Sequence, residues 1–337
     1  MKLVQIGVGK MGRTWLNTLC GAEAVEVAGI VEPVAPARDW AMSEFGLTPE
    51  QCLGNVEDAL ASLEWDAALV VTPPPTHRPL AEQLLRAGKH VLLEKPLATT
   101  IADAQALVKI AEDTGKTLMV AQNYRFHDAF NVVRQLVAAN RVGAVRAVTI
   151  QFHKDARAMG EGDFRFKMNH ALLMDMSIHH FDMILAVFGV NATRVYAQSW
   201  HVPDGKFDYH AAASALITLD DGVVVSYTGN WAAHQPETSW NGAWEIVGER
   251  GRIVWDGGDY REARISVQEW GQEMEPVVIA SFEQGGLSGL LDAFVRAVQS
   301  GVPPETSAAD NIHSLGIVFA AVESVETGAV AHVDRWG

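Results

Sequence analysis

Residues 3–12 read "LVQIGVGKMG", an apolar run that passes directly into glycines at positions 7, 9 and 12. A GxGxxG spacing that follows a strand and opens a helix has a specific use. Gly7 allows the tight turn, Gly9 lets the backbone approach a pyrophosphate, and Gly12 lets the helix pack against the strand. The phosphates then sit at the positive end of the helix dipole, beside Lys10 and Met11 in the first helical turn. The spacing alone also fits an ordinary glycine-rich turn, so the surrounding chain has to decide.

Working outward, residues 3–122 alternate short β-rich runs ("VEVAGIVE", "AALVVTPP", "HVLLEKP", "TLMVAQNY") with amphipathic segments near 12–20, 35–45, 56–63, 76–87 and 101–114. Runs such as "AALVV" are apolar without alternation, as strands of a parallel sheet buried on both faces are. The pattern predicts a doubly wound α/β Rossmann domain over 1–122. Glu32 ends the second strand, 20 residues after Gly12. An acidic side chain there accepts hydrogen bonds from the ribose hydroxyls of NAD and repels a 2′-phosphate. Arg38 nearby keeps NADP open. "VTPPPTH" after the next such strand forms a stiff loop across the carboxyl edge, where ligands of open α/β sheets bind, so Thr72, Pro73 and His77 are candidates to line the cofactor.

After residue 122 the rhythm changes. A helix near 130–139, the strand "AVRAVTIQFH", a charged Gly-containing loop over 155–170 and a long helix from about 172 to 188 precede a succession of strand-like runs. The runs are joined by "DDG", "GERG" and "DGGD", the glycine turns of hairpins. Two helices follow near 288–300 and 308–327. Residues 123–337 are therefore expected to form an α+β domain with a large, mostly antiparallel open sheet.

The chain has 337 residues and a net charge of −15, with no Lys/Arg run, which argues against a nucleic-acid partner. Cys20 and Cys52, its two cysteines, give neither a disulfide framework nor a zinc spacing, so no metal is expected. No secretory signal or membrane-length apolar window appears, which makes the cytoplasm the expected location.

"HVLLEKPLA" (90–98) places Glu94 and Lys95 at the end of a buried strand on the same edge as the glycine turn. With "AGKHVLLEKPLA", "GVGKMG", "NYRF" (123–126), "LLMDMSIHHFD" (172–182) and the closing "TSAADNIHSLGIVFAAVESVETG", the chain resembles the Gfo/Idh/MocA oxidoreductases over nearly its whole length. The resemblance implies a site built from the lysine of EKP and an Asp-x-x-x-His pair, here Lys95, Asp175 and His179, with a Lys–Pro bond that is often cis. It also implies a homodimer or homotetramer.

The residues support this independently. Asp175, His179 and Asp182 share one stripe of an otherwise apolar helix, and ionisable groups there are costly to bury without a purpose. A neutral imidazole is suited to take a hydroxyl proton as hydride leaves the same carbon. An ammonium stabilises the developing alkoxide. His179 is read as base and acid, Lys95 as electrostatic partner, Asp175 as hydrogen-bonding support, and His180 as structural. Glu94 either holds Lys95 or touches the nicotinamide ribose. Asn123 and Arg125 are candidates for the cofactor site, with Arg125 read equally as a brace between the two domains. His153, Arg157, Arg165 and Trp231 are candidate contacts for a sugar or polyol substrate, with Lys154 and Trp240 nearby. "MNHALLMD" and Ser177 depart from the family's glycine-rich pattern, which puts transfer of a specific substrate in doubt. The expected activity is an NAD(P)-dependent dehydrogenase acting on a sugar, sugar derivative or polyol. A glycosidase with retained NAD or a non-catalytic regulator of the same fold is the alternative.

Overall fold

The structure, a computed structural model, describes residues 1–203, 206–233, 236–259, 263–279 and 285–334. The chain divides into two compact units, Met1–Asn123 with Leu287–Ile312, and Tyr124–Gly286 with His313–Gly337.

The first unit alternates strands and helices: β1 (Lys2–Ile6), α1 (Lys10–Cys20), β2 (Glu26–Val31), α2 (Ala35–Phe45), β3 (Cys52–Leu53), α3 (Val56–Ser62), β4 (Ala67–Val70), α4 (His77–Arg86), β5 (His90–Leu93), α5 (Ile101–Thr114) and β6 (Leu118–Val120). The strands pair in parallel in the order β3-β2-β1-β4-β5-β6. The order reverses between β1 and β4, the crevice where doubly wound sheets take ligands. Ala67 to Val70 and Val91 to Leu93 are all fully buried, which explains why these runs lack polar alternation. α1 lays Gly12, Trp15, Leu16 and Leu19 against the sheet, the three-and-four spacing of an amphipathic helix.

In the second unit come α6 (Asp128–Ala138), β7 (Val145–His153), α7 (Ser177–Phe188), β8 (Ala192–His201), β9 (His210–Leu219), β10 (Val224–Asn230), β11 (Ala243–Gly248), β12 (Gly251–Trp255), β13 (Ile265–Glu269) and β14 (Glu275–Val277). α8 (Gly286–Ser300), α9 (Ala308–Thr327) and β15 (Ala331–His332) close the chain. The nine-stranded sheet runs β14-β13-β12-β11-β7-β10-β9-β8-β15. β7 and β10 pair in parallel, and the other neighbours pair antiparallel. Its strands alternate: Ala213, Ala215 and Ile217 of β9 are buried, whereas Leu216 between them is 51% exposed. One face is thus packed and the other open. The buried face receives α7, with Phe181 edge-on to Tyr227 of β10 at 5.2 Å. The turn "DGGD" runs into residues 260–262, which lie outside the described residues.

Two features depart from the linear reading. Residues 287–312, expected in the second domain, group with the first unit. The reason is pairing: Val120 N–H donates to Thr306 O at 2.8 Å, and Met119 bridges Ser307 in antiparallel sense, so this segment borders β6. The helix expected over 172–188 is not uniform either. Leu172–Met176 forms a π-helical turn, closed by the Ser177 N–H on Leu172 O, before α7 continues to Gly189 at φ 66°. Among the described residues no helix is long and apolar enough to cross a membrane.

Candidate active site

The glycine turn divides its labour as the spacing demands. Gly7 sits at φ +98°, and a Cβ there would lie 2.2 Å from Val71 O. A Cβ on Gly12 would lie 2.4 Å from Gly7 O, whereas one on Gly9 meets nothing within 4 Å. The open side at Gly9 is what a closely approaching pyrophosphate requires. Gly9 is also the N-cap of α1 and contributes no side-chain cap, which leaves helix-end amides for an anion. Lys10 and Met11 are exposed in that first turn. Gln5 escaped the sequence reading. Fully buried, its Nε2 donates to Gly7 O at 2.9 Å and Gly12 O at 2.7 Å, and so ties the turn to the helix start. Its one signal is an amide side chain inside an apolar strand.

Glu32 is buried at the end of the neighbouring strand. Its carboxylate accepts from Val8 N–H at 2.8 Å and Val34 N–H at 2.9 Å, one per oxygen. A carboxylate oxygen has a second lone pair, so acceptor capacity remains for ribose hydroxyls. Arg38 donates Nη1 to Glu32 O at 2.6 Å and Pro33 O at 3.0 Å, which commits it to backbone carbonyls. Pro73 is exposed, and the half-buried Thr72 bonds to Thr76 through its hydroxyl at 2.7 Å. This donor set fits NAD.

His77 does not line that edge. Its ring is fully buried, with Nδ1 2.7 Å from Pro96 O and Nε2 2.9 Å from Thr72 O. Burial, and secondarily the charge on Lys95, holds its pKa below the usual histidine value. The packing of α4 turns this ring inward, where it ties two loops of one edge together. Glu94 is likewise buried: Trp15 Nε1 donates to its Oε1 at 2.7 Å, and Lys95 N–H to its Oε2 at 3.1 Å. The half-buried Lys95 precedes a cis peptide bond to Pro96.

In the second unit Asp175 lies in the π turn and His179 in α7. Arg165 Nε donates to Asp175 Oδ2 at 2.6 Å, and Arg165 also pairs with Asp163. The ring of His179 stacks on Tyr124 at 4.2 Å and 12°, and Tyr124 stacks in turn on His127 at 4.9 Å. Burial and the nearby Asp175 carboxylate raise the Tyr124 pKa, so the phenol stays neutral. Asp182, the third group of the stripe, is structural: Arg125 Nε and Nη2 bind its carboxylate at 2.6 and 2.7 Å, and Ser314 Oγ adds 2.7 Å. Arg125 is 3% exposed, and this pairing with Asp182 lies inside the second unit.

His180 is structural as expected, fully buried between the Tyr227 hydroxyl at 3.1 Å and Trp240 O at 2.9 Å. Burial pushes its pKa down to about 4. A folded value below the unfolded one means the unfolded state binds more protons through this window. Stability is therefore lost as pH falls from about 6.5 towards 4, by up to about 3 kcal/mol from this residue. Urea titrations across that range should show the slope, and His180→Asn should flatten it; an unchanged slope would contradict the assignment. Ser177, one departure from the family's glycine, donates to the same Tyr227 hydroxyl at 3.1 Å.

The remaining candidates scatter. Trp231 is 2% exposed and packs beside Phe207 in the core, so it offers no ring face to a sugar. Arg157 is folded onto Asp155, and Lys154 onto Glu237 beneath the Trp240 ring. His153 ends β7, with its backbone held by Thr238. Asn123 is half-buried just after β6. His170, at φ 50°, shares the Ser199 hydroxyl with His210, each at 2.7 Å. Tyr124 was not among the sequence candidates.

Comparison with known proteins decides the family. Residues 1–122 match the oxidoreductase family, NAD-binding Rossmann fold, and residues 130–254 match the GFO/IDH/MocA C-terminal domain. The chain belongs to the Gfo/Idh/MocA oxidoreductases. It is an oxidoreductase with an NAD-binding Rossmann domain. Within this family it is 25% identical to inositol 2-dehydrogenase of Rhizobium meliloti, over 95% of each chain. It is 24% identical to D-apiose dehydrogenase of Paraburkholderia graminis, over 96% of this chain and 87% of that one. An Agrobacterium radiobacter oxidoreductase solved in complex with NAD+, L-tartaric acid and magnesium shares the fold at a TM-score of 0.89, with 20% identity over 99% of this chain and 98% of that chain.

Proposed function

We propose that this Gfo/Idh/MocA member oxidises a secondary alcohol of a sugar, sugar derivative or polyol, with Lys95, Asp175 and His179 as its catalytic residues and NAD preferred over NADP. The observation that carries the reading is the ordered surround of a hydroxyl-handling group: His179 clamped flat on a neutral Tyr124, one helical turn from an Asp175 held by Arg165. Bound NAD supplies hydride acceptance. His179 takes the hydroxyl proton at an imidazole nitrogen, the Lys95 ammonium stabilises the alkoxide as it forms, and Asp175 orients by accepting hydrogen bonds. Inositol 2-dehydrogenase and D-apiose dehydrogenase among the relatives support the substrate class.

The test is a dehydrogenase screen at 340 nm over sugars and polyols, with NAD and NADP, on the wild type and Lys95→Ala. Loss of activity by about 100-fold or more is expected in the variant; full activity would sink the assignment. Activity on glycosides without added cofactor would select the glycosidase reading instead. NAD is expected to bind at least about tenfold tighter than NADP, because a second charge beside Glu32 costs at least that factor. The reverse preference would refute the role of Glu32. The same reading takes the chain as a homodimer or homotetramer, supported by the exposed Trp200, Leu216 and Val224 on the open face of the large sheet. Light scattering that returns the mass of one chain would end it.

A further inference from the structure

Trp15 has no part in the chemistry above, yet it is fully buried on the helix that closes the glycine turn. Its indole N–H takes one oxygen of Glu94 at 2.7 Å, and the other oxygen accepts the Lys95 amide at 3.1 Å. On the far side of the same turn, His77 holds Pro96 O at 2.7 Å. The Glu94–Lys95–Pro96 turn is thus gripped at its first residue from α1 and at its last from α4. We propose that Trp15 is a positioning residue for Lys95, acting through Glu94. This rests on the reading of Lys95 as catalytic.

The physical case is one of donors and burial. A glutamate that is 8% exposed has little access to water, so its carboxylate depends on protein donors. A hydrogen bond from an indole to a charged acceptor is strong and directional, and it fixes the plane of the carboxylate. That plane aims Oε2 at the Lys95 amide and sets the negative charge on the residue next to the ammonium. A phenylalanine at position 15 keeps an apolar ring on the same helix face but removes the donor. The carboxylate would lose that directional bond, and the anchor of the Lys95 peptide would loosen with it. A tryptophan that merely packs predicts none of this.

The experiment is a double-mutant cycle of Trp15→Phe, Glu94→Gln and the pair. Three quantities are read: kcat and KM on the substrate found in the screen; affinity for NAD and for ADP-ribose by calorimetry; and the rate at which an acylating reagent modifies Lys95 in cofactor-free protein, by peptide mass spectrometry. Trp15→Phe is expected to lower kcat about 10- to 100-fold, with KM and NAD affinity within about threefold, since misplacement by an ångström costs rate rather than binding. The acylation rate of Lys95 should change by about threefold or more. The pair should be no worse than Glu94→Gln alone, because the indole acts through that carboxylate. Additive losses, or unchanged kcat and acylation in Trp15→Phe, would overturn the proposal. Should Trp15→Phe not fold, Glu94→Gln alone must alter Lys95 acylation, and no change there overturns it as well. If Lys95→Ala retains activity, the catalytic reading falls while the acylation cycle still reports whether Trp15 and Lys95 are linked.

Discussion

Asp182→Ala is expected to lower the unfolding free energy by about 3–5 kcal/mol, the cost of breaking a buried ion pair on one side. Asp182 is fully buried, and Arg125 opposite it is 3% exposed. Removal of the carboxylate leaves the guanidinium without its two charged bonds of 2.6 and 2.7 Å, and leaves Ser314 without an acceptor at 2.7 Å. The charge itself is the penalty, so Arg125→Met combined with Asp182→Leu should recover most of the loss. Urea titration of the single and double variants checks both statements. A single-variant loss below about 1 kcal/mol, the range of an exposed pair, would show the pair to be solvated. Activity should fall too, because Arg125 follows Tyr124 and Asp182 lies three residues past His179.

His179→Asn should cost about 10²- to 10⁴-fold in kcat, the usual contribution of a positioned proton acceptor. NAD affinity should hold, since the role proposed for His179 is toward the substrate hydroxyl. The stack is the reason asparagine is not expected to substitute: the imidazole lies 12° from the Tyr124 plane at 4.2 Å, a contact that fixes the plane of the ring. Tyr124→Leu offers a graded comparison, with a smaller loss of roughly tenfold, because the acceptor stays but its ring is freed to rotate. Steady-state kinetics with calorimetric NAD binding separates the two variants. Wild-type kcat in His179→Asn would remove the residue from the mechanism.

What could be read from sequence was what depends on local spacing. The glycine turn, the doubly wound order and the hairpin sheet follow from patterns a few residues long, and Gly7 and Gly12 meet the backbone atoms their spacing implies. The place of Glu32 at the end of β2 was legible because its distance from the turn is set by one strand and one helix. What failed depends on which way a side chain turns once packed. His77 lies on the right edge but faces inward, because a backbone carbonyl lies within hydrogen-bond distance of each ring nitrogen. Trp231 reads as a stacking surface by type and is core by burial. Glu94 stayed ambiguous because its partner Trp15 lies 79 residues earlier. The return of residues 287–312 to the first unit is a non-local pairing with β6, beyond any periodicity argument.

The π turn at Leu172–Met176 carries a lesson for anyone who transplants this motif. Because Ser177 reaches back to Leu172 rather than to Leu173, the chain carries one more residue per loop of backbone there than a regular helix does. Asp175 and His179 are spaced in sequence as on an ordinary helix, but they leave the backbone in directions offset by that extra residue. Grafting Asp-x-x-x-His onto a straight helix of another scaffold would therefore reproduce the letters and misdirect the carboxylate. A faithful graft has to carry the five-residue turn along with the two side chains.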